Sequence, residues 1–109
     1  MNISIDIEET GKRVFAKISG EIDAYTAPKL RETISKYGEK KGIWMSVDLS
    51  GVSYMDSTGL GVFVGLFKSI RANDSTLDIN GLSERLKRLF DITGLSNIMD
   101  INTEAEGGV

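Results

Sequence analysis

The chain predicts an α/β fold: a mixed sheet of four to five strands that opens with a β-hairpin and carries its helices mainly on one face. Three observations predict it. Ile3-Ser4-Ile5-Asp6-Ile7 alternates apolar and polar residues, and a Thr10-Gly11-Lys12 turn leads into a second short apolar run. Beyond residue 26 the apolar spacing switches back and forth between helical and strand periods, as strands alternating with helices require. At 109 residues, 40% hydrophobic and 27% charged, the chain suffices for one core and is not compositionally disordered.

Residues 3–7 and 14–18 are the hairpin strands, and Gly20-Glu21-Ile22-Asp23-Ala24-Tyr25 reads as a connection. Thr26 is placed as the N-cap of a first helix with Pro28 in its first turn. Ala27, Leu30, Ile34 and Tyr37 share one side of that helix, and Gly38 with Gly42 brackets its exit. Residues 43–49 form a third strand that ends at Ser50-Gly51. A polar turn then leads to a second helix over 60–70, whose core face is Leu60, Phe63, Val64, Phe67 and Ile70, with Val62 and Leu66 to the side and partly exposed. Residues 76–79 are a short fourth strand. Leu82, Leu86, Leu89 and Phe90 fall at i, i+4, i+7 and i+8 on a third helix that exits at Gly94, and 98–101 are the last strand. One domain is expected over 1–101, with 102–109 a loose tail.

What is missing narrows the chemistry. With no histidine, the chain lacks the usual general base and the commonest transition-metal ligand, so a Ser–His–Asp triad cannot be built. With no cysteine it has no disulfides, thiolate metal sites or thiol nucleophile. No acidic run has calcium-loop spacing, and no G-x-x-x-x-G-K-[ST] run exists. No catalytic residue, metal or cofactor is therefore expected. A net charge of −3 gives no basic face for nucleic acid. No apolar stretch approaches the ~20 residues of a membrane span, and no signal-peptide core is present. A cytoplasmic protein fits.

The most informative stretch is Met55-Asp56-Ser57-Thr58-Gly59-Leu60-Gly61, where a strand hands over to a helix. Free backbone N–H groups and the positive end of the helix dipole favour an anion there. The bland reading is that Asp56, Ser57 or Thr58 caps the helix for roughly 1 kcal/mol. The helix itself is unusual: Gly59, Gly61 and Gly65 each cost about 1 kcal/mol relative to alanine. Ser57, Gly61 and Gly65 fall at i, i+4 and i+8, a strip of nearly bare backbone running from the hydroxyl, with Lys68 close to its line. Two accounts stay open: tight packing on the sheet, or a smooth docking surface with Ser57 at its rim. Buried glycines would overturn the second.

Together these features resemble the STAS domain, specifically the small stand-alone anti-sigma factor antagonists. Asp48-Leu49-Ser50-Gly51-Val52-Ser53-Tyr54-Met55-Asp56-Ser57-Thr58-Gly59-Leu60-Gly61 matches the family's D-S-[ST]-G-[LI]-G signature without a gap. Gly20-Glu21-Ile22-Asp23 with Ala27-Pro28 and Leu30 matches its early loop and helix start, and 82–95 is similar to the stress-response, RsbV-type branch. The resemblance implies a partner-switching cycle. The unmodified protein binds an anti-sigma factor that is also a serine kinase, releasing the sigma factor. The kinase phosphorylates Ser57, the complex parts, and a PP2C-type phosphatase resets it. Thr58 is the competing acceptor. Residues expected to meet the partner are Asp23, Asp56, Ser57, Thr58, Gly61, Val62 and Gly65. The rival readings are a non-phosphorylated STAS scaffold and a small-ligand or nucleotide-binding module.

Overall fold

The computed structural model of the chain describes residues 2–92, 94 and 100–103. The elements run β1 (Ile3–Thr10), β2 (Arg13–Ile22), α1 (Ala27–Gly38), β3 (Trp44–Met55), α2 (Ser57–Ala72), β4 (Thr76–Leu82), α3 (Glu84–Ile92) and β5 (Asp100–Thr103). The five strands lie in sequence order. β1 and β2 pair antiparallel as the opening hairpin, and β2–β3, β3–β4 and β4–β5 are parallel. Parallel neighbours need crossovers, which α1, α2 and α3 supply.

Burial alternates along the strands and assigns the two faces. Val14, Ala16 and Ile18 of β2, Met45, Val47 and Leu49 of β3, and Leu77 and Ile79 of β4 are buried beneath the helices, while their neighbours point to the open face. Leu30 and Ile34 of α1, Phe63 and Ile70 of α2, and Leu86 and Phe90 of α3 join the same core. The Phe63 and Phe90 rings meet at 6.2 Å between centroids, which packs α3 onto α2. The mixed sheet with helices on one face is thus the observed architecture.

Several boundaries move, each for a physical reason. β3 does not end at Ser50-Gly51 but continues to Met55. Gly51 is a close-approach glycine: a Cβ there would collide with the Ser19 hydroxyl, where the β2–β3 register shifts between Lys17 and Ser19. β2 likewise runs on through Gly20-Glu21-Ile22, and β4 through Leu82, which is a buried strand residue rather than the start of the third helix's apolar face. Gly38 is the last residue of α1, packed where a Cβ would sit 3.0 Å from Leu66 Cδ1 and 3.2 Å from Ser69 Cβ. Val62 and Leu66 are buried because α1 covers that side of α2, whereas Val64 is only half-buried. Residues 98 and 99 of the expected last strand, and 104–109 of the expected tail, lie outside the described residues.

Candidate functional site

The C-terminal ends of β2 and β3 build the site. Asp56 leaves β3 in an extended conformation and becomes the N-cap of α2. Its N–H donates to Ile22 O of β2 at 3.2 Å, and its carbonyl accepts from Leu60 N–H at 3.0 Å. Its carboxylate Oδ1 accepts from Thr58 N–H at 3.0 Å and Gly59 N–H at 3.1 Å. The expectation of free donors at this helix start is corrected: two of them are already satisfied by the chain's own anion.

Gly59 explains how the helix can start so close to the sheet. It is buried, and a Cβ would lie 2.5 Å from Ile22 Cγ2, 2.8 Å from Ile22 O and 3.0 Å from Met55 Cγ. The other two glycines are different. Gly61 and Gly65 are exposed, and a Cβ at either would meet nothing within 4 Å. The strip of Gly61 and Gly65 is therefore open backbone rather than tight packing on the sheet, and Gly59, which lies off its line, is the glycine that packs. Beside them a shallow groove of about 190 Å³ runs between α1 and α2, lined on the α1 side by Arg31, Ile34 and Ser35 and floored by Val62 and Leu66.

Ser57 is the first residue of α2 and is exposed, as is Thr58. Among the described residues, the Ser57 hydroxyl has no hydrogen-bond partner. Asp23 lies across the way in the β2–α1 connection, only 8% exposed. Its Oδ1 accepts from Tyr25 N–H at 2.9 Å and Thr26 N–H at 3.1 Å. Burial alone would raise its pKa, but these bonds, with the Thr26 hydroxyl nearby, outweigh it and hold the carboxyl below its ordinary value. Thr26 does occupy the N-cap position but makes no side-chain cap. Its hydroxyl instead accepts from Asp23 N–H at 2.9 Å and donates to Glu21 O at 2.8 Å, folding the connection back onto β2.

The structure brings Asp23 and Asp56 to one open depression of about 460 Å³, together with Glu21, Ser53, Tyr25 and Tyr54. Sequence reasoning missed Tyr25, which is 86% exposed. A tyrosine in a polar loop with no helical or strand spacing to explain it was the available signal. Gly61, Val62 and Gly65 lie instead on the α1–α2 groove, with Ser57 on the same helix face as the two glycines. Among the described residues no carboxylate group is arranged to hold a metal ion, and no helix is long and apolar enough to cross a membrane.

A hairpin-opened mixed sheet, helices on one face and a D-S-T-G turn at the start of α2 define a STAS domain. The chain belongs to that family, whose STAS domain matches residues 4–106. It is 57% identical over 108 residues to the anti-sigma-B factor antagonist of Listeria monocytogenes, covering 97% of this chain and 95% of the relative. It is 50% identical over 109 residues to the anti-sigma-B factor antagonist of Bacillus subtilis, covering 100% and 99%. Among solved structures, the anti-sigma factor antagonist SpoIIAA in its unphosphorylated form matches with a TM-score of 0.77 at 24% identity, over 95% of this chain and 92% of that one. The phosphorylated form of the Bacillus protein matches with a TM-score of 0.73 at 24% identity, over 95% and 96%. At that identity the likeness is one of fold.

Proposed function

We propose that this chain is a cytoplasmic anti-sigma factor antagonist that works by partner switching and has no enzymatic activity of its own. Unmodified, it binds an anti-sigma factor that is also a serine kinase, which frees the sigma factor for transcription. Transfer of a phosphoryl group to Ser57 parts the complex, and a PP2C-type phosphatase restores it. The anti-sigma role is supported by relatives at 50% and 57% identity that carry that name over nearly their full length.

The observation that carries the switch is the placement of Ser57. Its hydroxyl is exposed at the head of a strip whose next two positions, Gly61 and Gly65, are open backbone. A partner can approach that strip closely, with the hydroxyl at the edge of the contact. Phosphorylation replaces a neutral group with about −1.5 to −2 charge. The charge arrives beside the Asp56 carboxylate, which already occupies the Thr58 and Gly59 N–H groups. This chain thus has little left to offer the phosphate beyond the helix dipole, and the partner's surface bears the cost. A penalty of ~4 kcal/mol weakens binding about a thousandfold. The fold need not change, a view supported by the match of this chain to both phosphorylation states of SpoIIAA.

Asp56 shapes the turn and holds the acceptor at the helix start. Asp23, Thr58, Gly61, Val62 and Gly65 are assigned to the partner surface, Asp23 acting by shaping the loop that presents Tyr25. Incubating the chain with its cognate anti-sigma factor kinase and ATP, followed by mass mapping, tests the reading. One phosphoryl group at Ser57, absent from Ser57→Ala, is expected. Continued uptake by Ser57→Ala at Thr58, with normal release, would mean the acceptor is the neighbouring hydroxyl.

A further inference from the structure

The face of the sheet turned away from the helices carries a second surface. Phe15 on β2 and Trp44 on β3 stand there 46% and 42% exposed. Between them Ser46 is too small to fill its position, which leaves a hollow of about 370 Å³ lined by Asp6, Glu8, Phe15, Lys17, Ser46 and Asp48. A smaller hollow of about 50 Å³, sharing Phe15 and Ser46, extends it to Arg13 and Trp44. The result is one trough with an aromatic floor and an acidic rim.

We infer that this trough docks a basic, arginine-bearing segment of a protein partner, at a site separate from Ser57. Charge selects the occupant. Among the described side chains, the carboxylates Asp6, Glu8 and Asp48 line the hollows or their rim, with Asp78 beside Trp44, and the cations there are Arg13 and Lys17. One of those cations already shows how the floor receives a guanidinium: Arg13 Cζ stacks 4.2 Å from the Trp44 ring centroid. The floor is held in place, since Trp44 Nε1–H donates to Asp78 Oδ2 at 3.4 Å and Asp48 Oδ1 accepts from Ser50 N–H at 2.9 Å.

The same charges exclude other occupants. Nucleic acid and anionic lipid would meet carboxylates. A second copy pairing along the exposed edge of β1 would set Asp6 and Glu8 beside like charges. Because the trough lies on the opposite face of the sheet from α1 and α2, occupation there persists through phosphorylation of Ser57.

Trp44 is the only tryptophan in the 109 residues, so its fluorescence reports on this surface alone. The probe is acetylated hexa-arginine, titrated into the full chain, with backbone amide shifts mapped in parallel. A saturable change in Trp44 emission is expected, suppressed by salt and weakened about tenfold in an Asp6→Asn/Glu8→Gln double variant. Amide shifts centre on Phe15, Lys17 and Ser46, and Ser57→Asp binds the peptide as the parent does. That last arm separates this inference from the switch at Ser57. Equal affinity in the double variant overturns the inference, as do amide shifts centred on the Glu21–Asp23–Asp56 depression. Self-association that alters Trp44 emission without peptide also overturns it.

Discussion

Replacing single glycines of α2 with alanine separates packing from docking. At Gly61 and Gly65 a methyl group meets nothing within 4 Å. The only stability effect left is helix propensity and reduced freedom of the unfolded chain, which favours alanine by about 1 kcal/mol at each site. At Gly59 the same methyl lies 2.5 Å from Ile22 Cγ2 and 2.8 Å from Ile22 O. That carbonyl is fixed by its bond from Asp56 N–H, so overpacking of ~1–3 kcal/mol outweighs the propensity gain. Urea unfolding followed by circular dichroism reads these differences. With a slope near 2 kcal/mol/M, the midpoint rises by about 0.5 M for Gly61→Ala or Gly65→Ala and falls for Gly59→Ala. Calorimetric titration with the anti-sigma factor supplies the second readout. Both stabilised variants bind about tenfold more weakly, because each methyl holds the partner off backbone that it otherwise approaches closely. Variants that gain stability and bind as tightly as the parent would refute the reasoning, leaving the strip with no partner to explain it.

Asp56→Ala removes the acceptor for Thr58 and Gly59 N–H and lowers stability by ~1 kcal/mol, measured by the same urea assay. Tyr25→Ala, at a side chain 86% exposed, leaves stability within about 0.5 kcal/mol of the parent yet costs ~1 kcal/mol or more in affinity for the anti-sigma factor. Asp23 predicts a pH dependence. Its folded carboxyl lies below the ordinary 3.8, so its contribution is full above that value and is lost as pH falls through the folded value below it. Asp23→Asn keeps an acceptor but removes the charge, so acid unfolding followed below pH 3.8 is less steep than in the parent.

Much of the architecture was legible because β1 to β4 each turn one face toward the core, so period-two alternation survives in the sequence. The strand ends were not, because glycine has two uses there. Gly51 reads as the end of the third strand and Gly81 falls beyond the expected end of the fourth, yet both permit close approach between neighbouring strands. A Cβ at Gly81, whose φ is +77°, would sit 2.8 Å from Ser50 N of the adjacent strand. Val62 and Leu66 were misjudged because a helix read alone shows one apolar face, whereas α2 buries two, one on the sheet and one against α1. At the candidate site, the D-S-T motif located the helix start. The capture of its donors by Asp56 depends on a side-chain rotamer that spacing does not specify. The divided roles of Gly59 and Gly61 follow from which of them faces Ile22, a contact between β2 and α2 that only the fold provides.

The affinity of the anti-sigma factor for this chain with and without a phosphoryl group on Ser57 bears most directly on the proposed switch. Phosphorylated chain prepared with the kinase and compared by calorimetry with the unmodified form should bind about a thousandfold more weakly, with both forms giving the same circular dichroism spectrum. Two matching affinities would contradict the account.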